Sequence, residues 1–211
     1  MASLAETYRP RSWAEVIGQE KVVAKIDRLR SRGLAGRAFW ISGASGTGKT
    51  TIARLLAGEV ADDWATEELD AQMLTPARVA HIERESRSKP LGGRGWCWIV
   101  NEAHGLSRQT VLQLLTLLDR LPPHATWVFT TTVEGQARLE GMEDSGPLLS
   151  RCIRLELSRQ GLAPLFARRA REIAQREGLD GQSEAKYLRL VQECRNNFRA
   201  VLQAIEAGEM L

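Results

Sequence analysis

The sequence predicts an α/β fold, a parallel sheet flanked by helices, followed by a small helical domain. Short apolar runs alternate with amphipathic stretches as far as Leu157, the pattern of parallel strands joined by covering helices. Beyond Leu157 no run of strand length appears. Gly43-Ala44-Ser45-Gly46-Thr47-Gly48-Lys49-Thr50 joins an apolar run to a helical pattern, the context in which a G-x-x-x-x-G-K-[ST] loop holds phosphate.

The elements follow in order. Strand-length runs at Ala38 to Ser42, Trp96 to Val100, Trp127 to Thr131 and Ile153 to Leu157 are bounded by glycine, polar or charged residues, and a weaker one covers Glu67 to Asp70. Helical patterns cover Glu20 to Arg32, Lys49 to Val60, Pro76 to Arg87 and Ser107 to Arg120. The third has Thr75 as N-cap and Pro76 at the first helical position, where its missing N–H costs nothing. Helices are expected near Gly161 to Glu177, Ser183 to Glu193 and Asn197 to Glu206. The division is therefore residues 1–157 as the nucleotide-binding α/β domain and 158–211 as a helical domain. Val133 to Pro147, rich in Glu, Gly, Asp and Ser, reads as an exposed, mobile loop.

Composition sets bounds on this reading. A chain of 211 residues with 43% hydrophobic residues buries one good core and a smaller second one. Cys97, Cys152 and Cys194 form no C-x-x-C pair and point to a reducing, cytoplasmic setting. The N-terminus carries no signal-like apolar stretch, and no run long enough to span a membrane follows. A net charge of +3 does not declare a nucleic-acid binder. Its clustering at Arg84, Arg87, Lys89 and Arg94 marks a basic loop, to be read as a solvated helix end or as a DNA contact.

The chemistry starts at the glycine-rich loop. Glycines let successive N–H groups converge on phosphate, and the following helix presents its N-terminus to negative charge. Lys49 is placed to reach the β and γ oxygens and Thr50 to hold Mg²⁺; Thr51 adds an α-phosphate contact or a packing methyl. Such a site needs an acidic pair at the end of a second strand, here Trp98-Ile99-Val100-Asn101-Glu102. Glu102 is the expected base for water attacking the γ-phosphate. Asn101 stands where an Asp is expected, keeping the shape and losing the charge that helps hold the metal.

Several segments then resemble one family in order and spacing. Leu4-Ala5, Tyr8-Arg9-Pro10, Trp13 and Val16-Ile17-Gly18-Gln19-Glu20 look like the N-terminal box of replication factor C small subunits and of the bacterial gamma/tau subunit. These are AAA+ ATPases of the sliding-clamp loader family. Glu102-Ala103-His104-Gly105-Leu106-Ser107, Leu114-Leu115, Leu118 and Pro122-Pro123 are similar to the bacterial subunit. The resemblance covers residues 4 to 206. It implies a P-loop AAA+ core with a helical lid, the cofactors ATP and Mg²⁺, and a ring of subunits that loads a sliding clamp on primer-template DNA during replication.

The resemblance also implies roles. Tyr8, Arg9, Pro10, Ile17 and Gly18 fold over the adenine, while Gly43, Ser45, Gly46, Thr47, Gly48, Lys49, Thr50 and Thr51 hold the phosphates. Thr131, with Thr130 as the alternative, takes the polar sensor position on Trp127 to Thr132. Arg151 of Ser150-Arg151-Cys152 acts in trans on a neighbouring subunit's ATP. Arg199, with Arg195 as competitor, reaches the nucleotide from the lid. Lys49, Glu102, Arg151 and Thr131 are thus the expected catalytic set, and Thr50 and Asn101 the metal side. Arg84, Arg87, Lys89, Arg94 and Arg108 are the candidate DNA contacts.

The sequence departs from the family at Asn101, in the length of Val133 to Pro147, and in lacking a cysteine-rich zinc module after Val60. It also lacks a collar domain after the lid helices, which reads as a chain cut before the collar or a compact relative without one. Two other readings stand: a nucleotide-binding structural subunit that does not hydrolyse, and another AAA+ factor such as a helicase loader or branch-migration motor. His81, His104 and His124 lack metal-ligand spacing and read as structural or surface residues. Trp96, Trp98 and Trp127 read as packing, and Trp64 finds no role.

Overall fold

The computed structural model describes residues 2–140 and 145–211. Five parallel strands form one sheet in the order β2-β3-β4-β1-β5: β1 Ala38–Ser42, β2 Thr66–Asp70, β3 Trp96–Asn101, β4 Ala125–Thr131 and β5 Cys152–Glu156. Between and before them run α1 Leu4–Thr7, α2 Glu20–Arg30, α3 Lys49–Val60, α4 Pro76–Glu85, α5 Arg108–Asp119, α6 Val133–Glu140 and α7 Ser145–Ser150. After them come α8 Leu162–Glu177, α9 Glu184–Glu193 and α10 Phe198–Glu206. The expected elements are present with ends shifted by at most two residues, including the weak strand β2.

Alternation along the central strands sorts side chains into two layers. Phe39, Ile41, Cys97, Ile99 and Val128 meet Ile26 of α2 and Ile52 and Leu56 of α3 in one core. Trp40, Trp98, Trp127 and Phe129 meet Val79 and Ile82 of α4 and Leu114 of α5 in the other. In that second layer an aromatic row runs Trp96 to Trp98 within β3, Trp98 to Trp127 between the strands and Trp127 to Phe129 within β4, with centroids 6.1, 5.3 and 5.8 Å apart, offset geometry that aromatic pairs prefer. Trp64 joins edge-on to Trp96 at 6.2 Å. The tryptophans are therefore sheet-face packing, as expected, and Trp64 extends the row to the surface.

A third core gathers Phe166, Ala170 and Ile173 of α8, Tyr187 and Val191 of α9, and Val201, Leu202 and Ile205 of α10. Leu4 is buried among them, and Ala5, Tyr8 and Ile17 pack at its margin. The first residues of the chain thus sit with the last helices, across the sequence boundary placed at residue 157.

One expectation is corrected. Val133 to Pro147 is not read as a loop in the structure, because α6 and the start of α7 occupy its described part; residues 141–144 lie outside the described residues. Thr132 caps α6, its Oγ1 accepting from the Gly135 N–H at 3.0 Å and its carbonyl from Gln136 at 2.9 Å, an N-cap the polar composition hid. Arg94, a candidate DNA contact, is half-exposed and also engaged within the chain. Its side chain donates to Asp62 Oδ1 and to the carbonyls of Gly58 and Ala61, tying down the connection that leads into β2.

Candidate nucleotide site

The glycine-rich loop leaves β1, a central strand, at its carboxyl end, where open α/β sheets bind ligands. Gly46 and Gly48 have φ of +76° and +97°, a region side-chain-bearing residues rarely adopt. Lys49 opens α3 and is only 9% exposed. Its Nζ donates to the carbonyls of Gly43 and Ala44 at 2.9 and 3.0 Å. Burial pushes its amine below the usual lysine range, with Glu102 partly offsetting this. A buried ammonium held only by neutral carbonyls fits a site built to receive an anion.

A cleft of about 190 Å³ lies over this loop. Its floor is Ser45, Gly46, Thr47, Gly48, Lys49, Thr50 and Thr51; one wall is Tyr8, Arg9, Pro10 and Ile17, and Arg199 faces them from α10. Glu102 and Thr130 close the strand side. The structure thus gathers most of the expected nucleotide set from segments far apart in sequence. Arg199, and not Arg195, lines the cleft. Phe166 and Arg169 of α8 and Phe198 of α10 also line it, and sequence reasoning missed all three. Phe166 and Phe198 recur at helical spacing as core residues, so nothing local separates a wall from a core; Arg169 is one of many arginines on α8.

Five expected residues are not in the cleft wall. Gly18, φ +71°, packs under Leu162, which a Cβ would strike at 2.1 Å. Gly43 lies behind the loop, giving its carbonyl to Lys49. Thr131 points to the opposite sheet face from Thr130, because neighbours on a strand alternate; its Oγ1 lies 3.1 Å from His104 Nδ1. Of the two residues expected at the sensor position, Thr130, the alternative, lines the cleft and Thr131 does not. Asn101 lies one hydrogen bond behind the wall, accepting from Thr130 Oγ1 at 2.9 Å and donating to Glu68 Oε1 at 2.7 Å. Arg151 is on the surface, paired with Asp119.

Glu102, the residue after β3, is in the left-handed region, φ 51°, an uncommon conformation that costs energy in a residue with a Cβ and is typical of functional turns. Its carboxylate stands 3.4 Å from His104 Nδ1. His104 is in turn covered by Gly135 of α6, where a Cβ would meet Nδ1 at 2.3 Å. The connection after β5 and the N-cap of α10 also touch the phosphate loop directly. Arg159 Nη2 donates to the Ser45 carbonyl at 2.9 Å, and Asn197, the N-cap of α10, lies so close to Gly46 that a Cβ there would meet Oδ1 at 1.9 Å.

For a divalent metal, the described residues offer no group of three or more His, Cys, Asp or Glu. Thr50 in the cleft and the amide of Asn101 behind it fit a cation held mainly by nucleotide phosphates, as Mg²⁺ commonly is.

The chain is 28% identical to the tau subunit of DNA polymerase III from Escherichia coli over 177 residues, 73% of this chain and 26% of that one. It is 31% identical to the gamma subunit from Buchnera aphidicola of Acyrthosiphon pisum over 152 residues, 61% of this chain and 42% of that one. This chain is a relative of the DNA polymerase III gamma and tau subunits. The matched region spans from about a quarter to two fifths of those relatives. No protein-family model matches the gamma/tau relative described here.

Among solved structures its fold matches RuvB of Thermotoga maritima, titled a Holliday junction branch migration motor, with TM-score 0.68 at 22% identity over 94% of this chain and 64% of that one. It also matches a DNA polymerase III gamma subunit-related protein of the same organism, with TM-score 0.54 at 13% identity over 84% and 69%. The fold is thus that of the AAA+ proteins, with a helical lid. At these identities the structural likenesses speak for fold alone. Among the described residues no helix of this gamma/tau relative is long and apolar enough to cross a membrane.

Proposed function

We propose that the chain is the ATP-binding and ATP-hydrolysing part of a subunit of a DNA polymerase sliding-clamp loader or a clamp-loader-like complex, working in the cytoplasm in DNA replication. The observation that carries this is the cleft in which the phosphate loop, Glu102, Thr130, the Tyr8-Arg9-Pro10 segment and Arg199 converge, in a relative of gamma and tau. Lys49 and the N-terminus of α3 neutralise the phosphates. Tyr8, Pro10 and Ile17 cover the base. Glu102 orients and deprotonates the attacking water, and Thr130 marks the γ-phosphate end. Mg²⁺, when bound with the nucleotide beside Thr50, spreads the charge that develops on the phosphoryl oxygens. Arg151, outside the cleft of its own chain, serves a neighbouring subunit, either another loader subunit or a second copy. The assembly closes on primer-template DNA and a sliding clamp, holding the DNA by its phosphates.

The test is ATP turnover by the chain alone, with partner subunits, and with clamp and primer-template DNA added. Low turnover alone that rises in the full assembly is the expected result; turnover indifferent to clamp and DNA together overturns the clamp-loading reading. Asn101 favours a second reading, a subunit that binds ATP without hydrolysing it. Single-turnover hydrolysis in excess Mg²⁺ separates the two. Turnover abolished by Glu102→Gln eliminates the non-hydrolysing reading, and tight binding with no turnover supports it.

A further inference from the structure

The metal side of the site has an amide where a carboxylate is expected, and the residues around that amide show where a negative charge lies. Glu68 is on β2, the edge strand beside β3, and its side chain is 28% exposed. Its Oε1 accepts from Asn101 Nδ2 at 2.7 Å, and its Oε2 accepts from Arg54 Nε at 2.8 Å. Arg54 lies one turn after Thr50 on α3. The carboxylate is therefore held from both sides, between the helix that carries Thr50 and the strand that ends at Asn101.

The orientation of Asn101 follows from this. A carboxylate only accepts hydrogen bonds, so the amide must turn its NH₂ to Glu68 and its carbonyl oxygen to Thr130. Thr130 must then donate, at 2.9 Å, and Thr130 lines the cleft with Thr50 and Glu102. An Asp at position 101 would instead face Glu68 with a second carboxylate at hydrogen-bond distance. Asn101 keeps Glu68 charged and close.

We infer that Glu68 is a positioning residue for the divalent cation of the nucleotide complex, supplying through Asn101 and Thr130 the negative charge that position 101 lacks. This rests on the nucleotide reading of the cleft. Groups behind a metal's own ligands set its affinity by orienting those ligands and by their charge, and losing one costs about ten- to a hundredfold.

The experiment is calorimetric titration of the full chain with a non-hydrolysable ATP analogue, in Mg²⁺ and in EDTA, with thermal melts of each variant in EDTA. Wild type is expected to bind more tightly in Mg²⁺. Glu68→Gln should keep its EDTA affinity and lose about tenfold of the Mg²⁺ gain. Glu68→Gln combined with Asn101→Asp should recover it, because the charge returns at the neighbouring position. Arg54→Met removes Glu68's other partner and leaves the charge, so the gain should persist; if Glu68 merely braces α3, Arg54→Met loses as much as Glu68→Gln, which overturns the inference. Should Glu68→Gln not fold, Glu68→Asp, which withdraws the same charge by one methylene, must show a reduced gain. An unchanged Mg²⁺ gain in Glu68→Gln, or no Mg²⁺ gain in wild type, overturns the inference and leaves the nucleotide reading standing. No analogue binding by wild type overturns both.

Discussion

Arg151 grips the carboxylate of Asp119 at two points, Nε to Oδ1 at 2.6 Å and Nη2 to Oδ2 at 2.9 Å. The guanidinium holds the Asp119 carboxyl below its ordinary 3.8. A carboxylate with a depressed pKa contributes stability above its ordinary pKa and loses it as pH falls through the folded value. The pair is therefore intact at neutral pH, and salt is what loosens it there. Exposed pairs of this kind contribute little to folding, so exchanging Asp119 for phosphate oxygens of a neighbour, as the proposed function requires of Arg151, costs the fold little. Arg151→Ala should leave the melting temperature and the analogue affinity of the isolated chain unchanged while turnover of the assembly collapses. Titration of the chain and steady-state kinetics of the assembly check this.

Lys49→Met keeps most of the side-chain volume and removes the buried charge. Burial has pushed the Lys49 amine below its ordinary 10.5, so the charged form burdens the fold at neutral pH, and the burden lifts only as pH rises from the folded value towards the ordinary one. The variant should melt at the wild-type temperature or above it, and lose analogue binding by about a hundredfold or more. A melt and a titration on one preparation suffice.

Gly135→Ala puts a methyl 2.3 Å from His104 Nδ1. In an ordinary helix the change would stabilise; here α6 or His104 must move, and Glu102 stands 3.4 Å from that nitrogen. Turnover of the assembly should fall by about ten- to a hundredfold, the scale of an ångström's misplacement, with analogue affinity retained. Steady-state kinetics beside binding isotherms distinguishes this from a folding defect.

Both tyrosines of the chain belong to the helical core. Tyr8 donates to Glu177 at 2.6 Å and Tyr187 to Asp180 at 3.0 Å. Burial, then the bond to Asp180, pushes the Tyr187 phenol up to about 12. A pKa raised in the folded state contributes stability that is complete below the ordinary value, 10.0, and lost as pH rises through about 12. Alkaline melting of the lid should follow that window, and Tyr187→Phe should remove the part of it that tyrosinate absorbance reports.

The sequence was legible where chemistry is local. Gly43 to Thr50 between a strand and a helix, Thr75 before Pro76, and the alternating runs of β1, β3 and β4 each carry their cause within a few residues. Val133 to Pro147 misread because its polar composition outweighed the Thr132 cap. Thr130 and Thr131 could not be separated in the sequence because a strand's facing depends on the sheet packed around it, and one residue's step puts a side chain on the other face.

By itself the sequence determined the α/β order, the phosphate loop, the carboxylate of Glu102 and the lid helices, since periodicity, caps and glycine conformation are properties of short segments. Only the tertiary structure decided that Leu4 is buried with α8 to α10, that Thr130 rather than Thr131 meets the cleft, and that Asn101 is backed by Glu68. Each depends on side chains brought together across many residues by burial of apolar surface, and no local pattern encodes which distant partner arrives.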